Sequence, residues 1–391
     1  MNWKRKSKSD WGRLDLSYKQ LGDFSNIKGG KRLPKGQMLV ATPTNHPYIR
    51  VRDLGKSKTL ELDSSFEYIE QETFEKIARY IVNENDIIIS IVGTIGLIGK
   101  VGSTLDGANL TENCAKIVDV EGFDKDFLYY YLTSNEGQSA IHAYTVGAVQ
   151  QKLPLKNIIE LMIPDIPLEN QKKIAKTLSV FDDRIAENKK INNHLVELAR
   201  SFWQERFSSK QPNGKLGDII ELFDSKRVPL SANQREKMDK TYPYYGATSL
   251  MDYVDDYLFD GTYLLLGEDG TVIDKEGYPI LQYVWGKFWV NNHAHIMVGK
   301  NGFTVESLFV LLKNTCVSSI VTGAVQLKIN QANLKSVDVY IPQKEELDNF
   351  NSTIEPIFDQ LRNLYDEIKS LTTLRDALLP KLMSGEISVA D

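Results

Sequence analysis

Two stretches of the chain carry a long apolar stripe at helical spacing. From Leu168 the stripe runs Gln171, Ile174, Leu178, Phe181, Ile185, then Ile191, Leu195, Leu198 and Phe202. Steps of mostly three and four residues put these side chains on one face of a helix. From Leu347 it runs Phe350, Ile354, Ile357, Leu361, Leu364, Ile368, Leu371, Leu374 and Leu378. That alternation lasts more than four heptads, the seam of a coiled coil. Pro167 and Pro342 stand just before the two helices, where proline is tolerated, whereas Pro356 inside the second is expected to kink it. Asn188 and Asn192 fall near the first seam, where buried amides set register at a cost in stability. Each helix is about forty residues, roughly 60 Å at ~1.5 Å per residue. Neither buries its stripe alone. The economical solution packs one against the other, antiparallel if the two halves of the chain are related by a pseudo-twofold.

The rest of the chain reads as mixed α/β. Ile87-Ile88-Ile89-Ser90-Ile91 and Tyr263-Leu264-Leu265-Leu266 are short apolar runs ending in glycine-containing turns, as buried strands do. Phe127 to Leu132 and Leu308 to Leu312 read as short bulky helices. These elements come in two copies. Leu21-Gly22-Asp23 returns as Leu216-Gly217-Asp218, and Lys31-Arg32-Leu33-Pro34 as Lys226-Arg227-Val228-Pro229, both at an offset of 195 residues. Pro47-Tyr48 answers Pro243-Tyr244 at offset 196. Asn113 to Ile117 answers Asn292 to Ile296 at offset 179, and Gly147-Ala148-Val149-Gln150 answers Gly323-Ala324-Val325-Gln326 at offset 176. Each copy then reaches an Ile-Pro, at Ile163-Pro164 and Ile341-Pro342. The expected class is α+β: two pseudo-repeated domains separated by two long antiparallel helices. The first domain is placed at 1–164, a central helix at 165–208, the second domain at 212–342 and a closing helix at 343–384.

Composition narrows the class without naming a ligand. The 391 residues hold 47 Lys and Arg against 52 Asp and Glu, a net charge of −5, so generic coating of nucleic acid is disfavoured. Local basic loops remain open to DNA. Two cysteines, Cys114 and Cys316, make neither a disulfide framework nor a four-thiolate zinc site, and point to the cytoplasm. The basic start (Lys4, Arg5, Lys6, Lys8) is not followed by the apolar core of a signal peptide. No run reaches the ~18 apolar residues of a membrane span.

Twin heads on a paired helical rod form a ruler. Duplex DNA is a common ligand with matching symmetry, because half-sites one helical turn (~34 Å) apart face the same way. At this point the chain resembles the specificity subunit (HsdS) of type I restriction-modification systems over essentially its whole length. The likeness rests on the doubled Leu-Gly-Asp, Gly-Ala-Val-Gln and Ile-Pro, on Tyr48-Ile49-Arg50-Val51-Arg52-Asp53, on Tyr242-Pro243-Tyr244-Tyr245-Gly246-Ala247, and on the closing Leu378 to Ile387. It implies two target-recognition domains reading an asymmetric bipartite DNA site. It further implies docking of two methyltransferase subunits, which bring S-adenosylmethionine, and of two restriction subunits, which bring ATP and Mg. No cofactor is then expected in this chain.

Candidate contacts follow from the doubled loops, each with a plainer reading beside it. Lys31, Arg32, Lys226 and Arg227 suit phosphate or guanine, or are solvated loop charge. Arg50 and Arg52 would share one strand face and reach DNA, or pair with acidic neighbours. Tyr244 and Tyr245 present rings to a base, or lie in the core. Gln150, Gln151 and Lys152, matched by Gln326 and Lys328, suit adenine and phosphate, or form a connecting turn. Thr94 sits in Gly93-Thr94-Ile95-Gly96, which lacks the ending of a P-loop and reads as a tight turn near DNA backbone. His293 and His295 would share a strand face, with no nearby Cys or carboxylate to complete a metal site. Pro164-Asp165 with Glu187-Asn188-Lys189 only superficially fits a nuclease motif, since the Glu and Lys belong to the helix. The chain also lacks the Asn/Asp-Pro-Pro-Tyr/Phe tetrapeptide of amino-methyltransferases. Two rival classes stand: a fused modification enzyme with an unrecognised active site, and a coiled-coil scaffold for proteins.

Overall fold

The computed structural model describes residues 17–147, 151–323 and 326–387. The chain divides into two compact units. One comprises residues up to 188 with those from 367 onward, and the other residues 189–366. Each unit therefore holds a head and part of both long helices, Leu168–Phe207 and Lys344–Met383.

In the first unit a five-stranded sheet runs in the order Asn26–Gly29, Cys114–Val118, Ile87–Ser90, Ile98–Val101, Thr59–Leu60. All pairs are antiparallel except the last. A three-stranded sheet lies beside it in sequence, with Pro47–Ile49 central, antiparallel to Glu67–Tyr68 and parallel to Asn109–Leu110. Ile87 and Ile89 face one apolar cluster, Ile88 another, as a strand buried on both faces must.

The second unit repeats this plan. Ile220–Leu222, Ala294–Gly299, Tyr263–Gly267 and Leu281–Val284 form an antiparallel sheet. Tyr242–Tyr245 is antiparallel to Leu250–Val254 and parallel to Lys287–Val290, which also pairs with Phe259–Asp260. A short ribbon closes each head: Tyr18–Gln20 on Met162–Pro164, and Gly214–Lys215 on Asp338–Val339. The doubled Leu-Gly-Asp explains itself here. Leu21 and Leu216 are fully buried, and Asp23 and Asp218 cap the following turn by accepting the N–H of Gln20 (3.1 Å) and Lys215 (2.8 Å).

The ladders correct one sequence match. Ile27 pairs with Ile117, and its counterpart Leu222 pairs with Met297, so the true offset there is 180, not 179. The one-residue slip moves every side chain to the other face. His295 therefore answers Ala115. Lys116, on the opposite face, is buried and donates to the Ile81 carbonyl (2.6 Å).

Within each unit the two long helices pack antiparallel. In the first, Arg184 pairs with Glu367 (2.8 Å) and Arg375 with Asp182 (2.6 Å). In the second, Trp203 and Phe207 pack edge-to-face against Phe350, and Arg206 reaches Asn349 (3.0 Å). Ile174, Leu178, Ile185, Ile354, Leu361 and Leu364 are buried, and Phe181, Leu195, Phe202, Ile357, Ile368 and Leu371 are half-buried. The seam shifts by one residue late in the central helix. Ala199 and Trp203 carry it, while Leu198 and Leu374 are exposed. A straight helix drifts relative to a 3.5-residue repeat, which moves the buried face off the naive positions. Asn188 and Asn192 are buried, and the second helix is assigned as unbroken through Pro356. No helix among the described residues is long and apolar enough to cross a membrane.

Candidate nucleic-acid interface

The doubled Gly-Ala-Val-Gln opens onto the same local structure in both heads. Backbone groups of Val146 and Lys152 exchange two hydrogen bonds of 2.9 Å, and those of Thr322 and Lys328 bonds of 2.8 and 2.7 Å. Gly147 (φ 104°) and Gly323 (φ 93°) turn the chain at the mouth of each loop, in a region side chains avoid. Each loop leans on the glycine turn after the central strand, through bridges from Lys152 to Val92 and from Lys328 to Asp269. Thr94, Gln151, Lys152, Gln326 and Lys328 are all exposed there. Gln150, with Ala148, Val149, Ala324 and Val325, lies outside the described residues. The fold thus gathers Thr94 with Gln151 and Lys152 on one loop rim, and repeats that rim in the second head.

The basic pairs diverge. In the first head Lys31 and Arg32 are exposed, and Arg32 is held only at its Nε by Glu112 (2.7 Å), which raises its affinity for its proton. In the second head Lys226 is exposed, but Arg227 is drawn inward. Its Nη1 donates to Glu268 (2.8 Å) and to the Ala294 carbonyl (2.7 Å), and its Nε to the Asp224 carbonyl (3.0 Å). Arg227 is drawn into a structural clamp, unlike the open loop charge expected of it.

Arg50 and Arg52 are corrected as well. Strand Pro47–Ile49 ends before them, and Val51–Asp53 forms a turn of 3₁₀ helix. Both guanidinium groups converge on Glu67, Arg52 at 3.2 Å. Asp53 caps this turn by accepting the Arg50 N–H (2.7 Å), and burial pushes its carboxyl up to about 6. Tyr244 is buried and receives the Leu230 N–H on its hydroxyl (3.0 Å), with Arg235 over its ring. Its counterpart Tyr48 is likewise buried and donates to the Lys31 carbonyl (2.7 Å). Each tyrosine therefore braces the segment around its basic loop instead of meeting a base. Tyr245 is half-buried against Phe288.

The two histidines do not share a strand face. His293 precedes strand Ala294–Gly299 and pairs at the surface with Asp269 (2.9 Å). His295 is buried, and the fold does bring carboxylates to it, Asp224 and Glu268, from far along the chain. Those groups already have partners: His295, Gln331 and the Ile296 N–H on Asp224, and Arg227 with Lys328 on Glu268. Burial opposes ionisation of Asp224, but the His295 and Ile296 hydrogen bonds outweigh it and hold its carboxyl low. Glu67, Glu112, Asp224 and Glu268 carry no repeated pattern, so nothing in the sequence marks them.

A family model for the type I restriction modification DNA specificity domain matches residues 14–197 and again 210–376. The chain belongs to that family, as a type I restriction-modification specificity subunit with two DNA-recognition domains in tandem. It is similar to the type I restriction enzyme MjaIX specificity subunit of Methanocaldococcus jannaschii, at 24% identity across 98% of this chain and 96% of the relative. The EcoprrI specificity subunit of Escherichia coli is 22% identical, across 91% and 90%. Among solved structures, the S subunit from M. genitalium aligns at 18% identity and TM-score 0.48, covering 94% of this chain and 96% of that one. The HsdS subunit from Thermoanaerobacter tengcongensis aligns at 14% and 0.38, covering 97% and 100%.

Proposed function

We propose that this chain is the non-catalytic address-reader of its restriction-modification complex in the cytoplasm. Its two heads read the unlike halves of a gapped DNA site, and its paired helices set the gap and dock two methyltransferase subunits and two restriction subunits. S-adenosylmethionine comes with the methyltransferase, and ATP with Mg comes with the restriction subunits. The observation that carries this reading is the repeated loop rim on a repeated sheet plan, with different side chains on each copy. A repeated scaffold supplies two equivalent approaches to a duplex, and its divergent loops make the two half-sites differ. The loops around Lys31, Thr94 and Lys152 serve one half-site, and those around Lys226 and Lys328 the other.

The test is a map of methylated adenines in cells with and without the gene. A gapped, asymmetric motif that disappears with the gene supports the reading. An unchanged map sinks it. Methyl transfer by the purified chain alone, given DNA and S-adenosylmethionine, would instead favour a fused enzyme.

A further inference from the structure

His295 is fully enclosed, and both of its ring nitrogens face acceptors. Nδ1 lies 2.6 Å from the Asp224 carboxylate, and Nε2 lies 2.8 Å from the Ile329 carbonyl. A carbonyl oxygen can only accept. The Asp224 carboxyl is held low by its hydrogen bonds and so is ionised, accepting also from the Gln331 amide (2.6 Å) and the Ile296 N–H (2.9 Å), and it too offers lone pairs and no proton. Both ring nitrogens must therefore donate, and the ring carries two protons and a positive charge. The remaining charged groups facing it are Glu268, whose carboxylate lies 3.9 Å from Nδ1, and the Arg227 and Lys328 side chains that share Glu268. The His293–Asp269 pair lies beyond them at the surface.

The pinned carbonyl belongs to the residue that follows the loop rim. Ile329 gives its carbonyl to His295 and its N–H to the Glu268 carbonyl (2.9 Å), directly after Lys328 closes the hairpin on Thr322. The first head has Ala115 at the equivalent ladder position, so its loop has no such pin.

We propose that the protonated His295 is a positioning residue that fixes the Thr322–Lys328 loop for DNA, making recognition of one half-site, and only that one, sensitive to pH. This rests on the loop's assignment as a DNA contact. Loss of the Nε2 proton sets a lone pair against the Ile329 carbonyl and releases the loop. The bond is present while Nε2 carries its proton and is lost when that proton leaves.

Two readouts test it on the full-length chain. The first is nitrogen NMR of the labelled histidines, five in all, with the His295 signal assigned by its loss in His295→Gln. Both ring nitrogens protonated at pH 6.5 is the expected result, and a singly protonated ring there overturns the proposal. Asp224→Asn should move the loss of the second proton to lower pH, and an unmoved transition also overturns it. The second readout is amide exchange of residues 322–329 and binding of the assembled complex to its mapped target. Between pH 6.5 and 8.5 exchange should quicken, and affinity should fall about tenfold, the scale of one charge-assisted hydrogen bond. In His295→Gln both should be flat with pH. Exchange that changes with pH while affinity does not would keep the pin and refute the loop as a DNA contact. Exchange that does not change overturns the pin itself.

Discussion

Asp182 in the central helix accepts a hydrogen bond from Arg375 in the C-terminal helix at 2.6 Å, across 193 residues of sequence. Its other oxygen accepts from Tyr130 of the first head, also at 2.6 Å. Burial and the neighbouring Asp182 charge both hold the Tyr130 hydroxyl in its protonated, donating form. One buried carboxylate thereby ties a head to both helices that carry it. The second unit builds a similar anchor from Tyr283, Glu306 and Arg362, with Tyr283 donating to Glu306 at 2.6 Å.

Asp182→Ala removes both bonds and leaves a half-buried guanidinium short of a partner. We expect a loss of about 3 kcal/mol in denaturant unfolding. Tyr130→Phe removes one bond from the same carboxylate and should cost about 1 kcal/mol. Equal losses would show that the hydroxyl, not the ion pair, carries the anchor.

Asp53 gives the first head an acid-strengthened element. Its carboxyl is raised to about 6 by burial, above the ~3.9 of an unfolded chain. The folded state then binds the proton more tightly, so the penalty for the buried charge is absent below about pH 4 and complete above about pH 6. Stability should fall by about 3 kcal/mol as pH rises through that window, relative to Asp53→Asn, which retains an acceptor for the Arg50 N–H. Parallel unfolding curves for the two proteins between pH 4 and 7 would show that Asp53 does not titrate there.

What was legible in the sequence was whatever the chain wrote twice or repeated at helical spacing. The doubled Leu-Gly-Asp located a capped turn, and the two apolar stripes located both long helices. Side chains whose partners lie far along the chain were not legible. Nothing local to Arg227 announces Glu268, and nothing local to Tyr244 announces Leu230, so an inward clamp and a buried brace looked like exposed loop contacts. The His295 match failed for another reason. Three identities in five residues favour an alignment that the strands do not follow, because the ladder, with its single register, lies one position off.

Gly323 offers a loop defect that spares the core. Its φ of 93° strains any other residue, and a Cβ there would lie 2.1 Å from the Gln326 carbonyl oxygen. Gly323→Ala should open the hairpin that Thr322 closes with Lys328. The described loop residues, 322, 323 and 326–328, are exposed, so the melting temperature should hold to within about 2 °C. Binding to the mapped target should weaken at least about tenfold, with the loss confined to one half-site in competition with half-site mutants. Equal losses at both half-sites would argue against independent heads.

The helices give the sharpest test of the ruler. Residues inserted between 188 and 189, and between 366 and 367, fall at the boundary of the two units and leave the contacts within each intact. The Asp182–Arg375 pair stays on one side and the Trp203–Phe350 contact on the other. Four residues in each helix are about one turn, so each helix grows by ~6 Å and keeps its apolar face nearly in phase. That is about two base-pair steps of ~3.4 Å. The mapped methylation motif should keep the bases of both half-sites and gain unspecified positions between them. A motif with altered bases, or an unaltered gap, would mean that something other than the paired helices measures the distance.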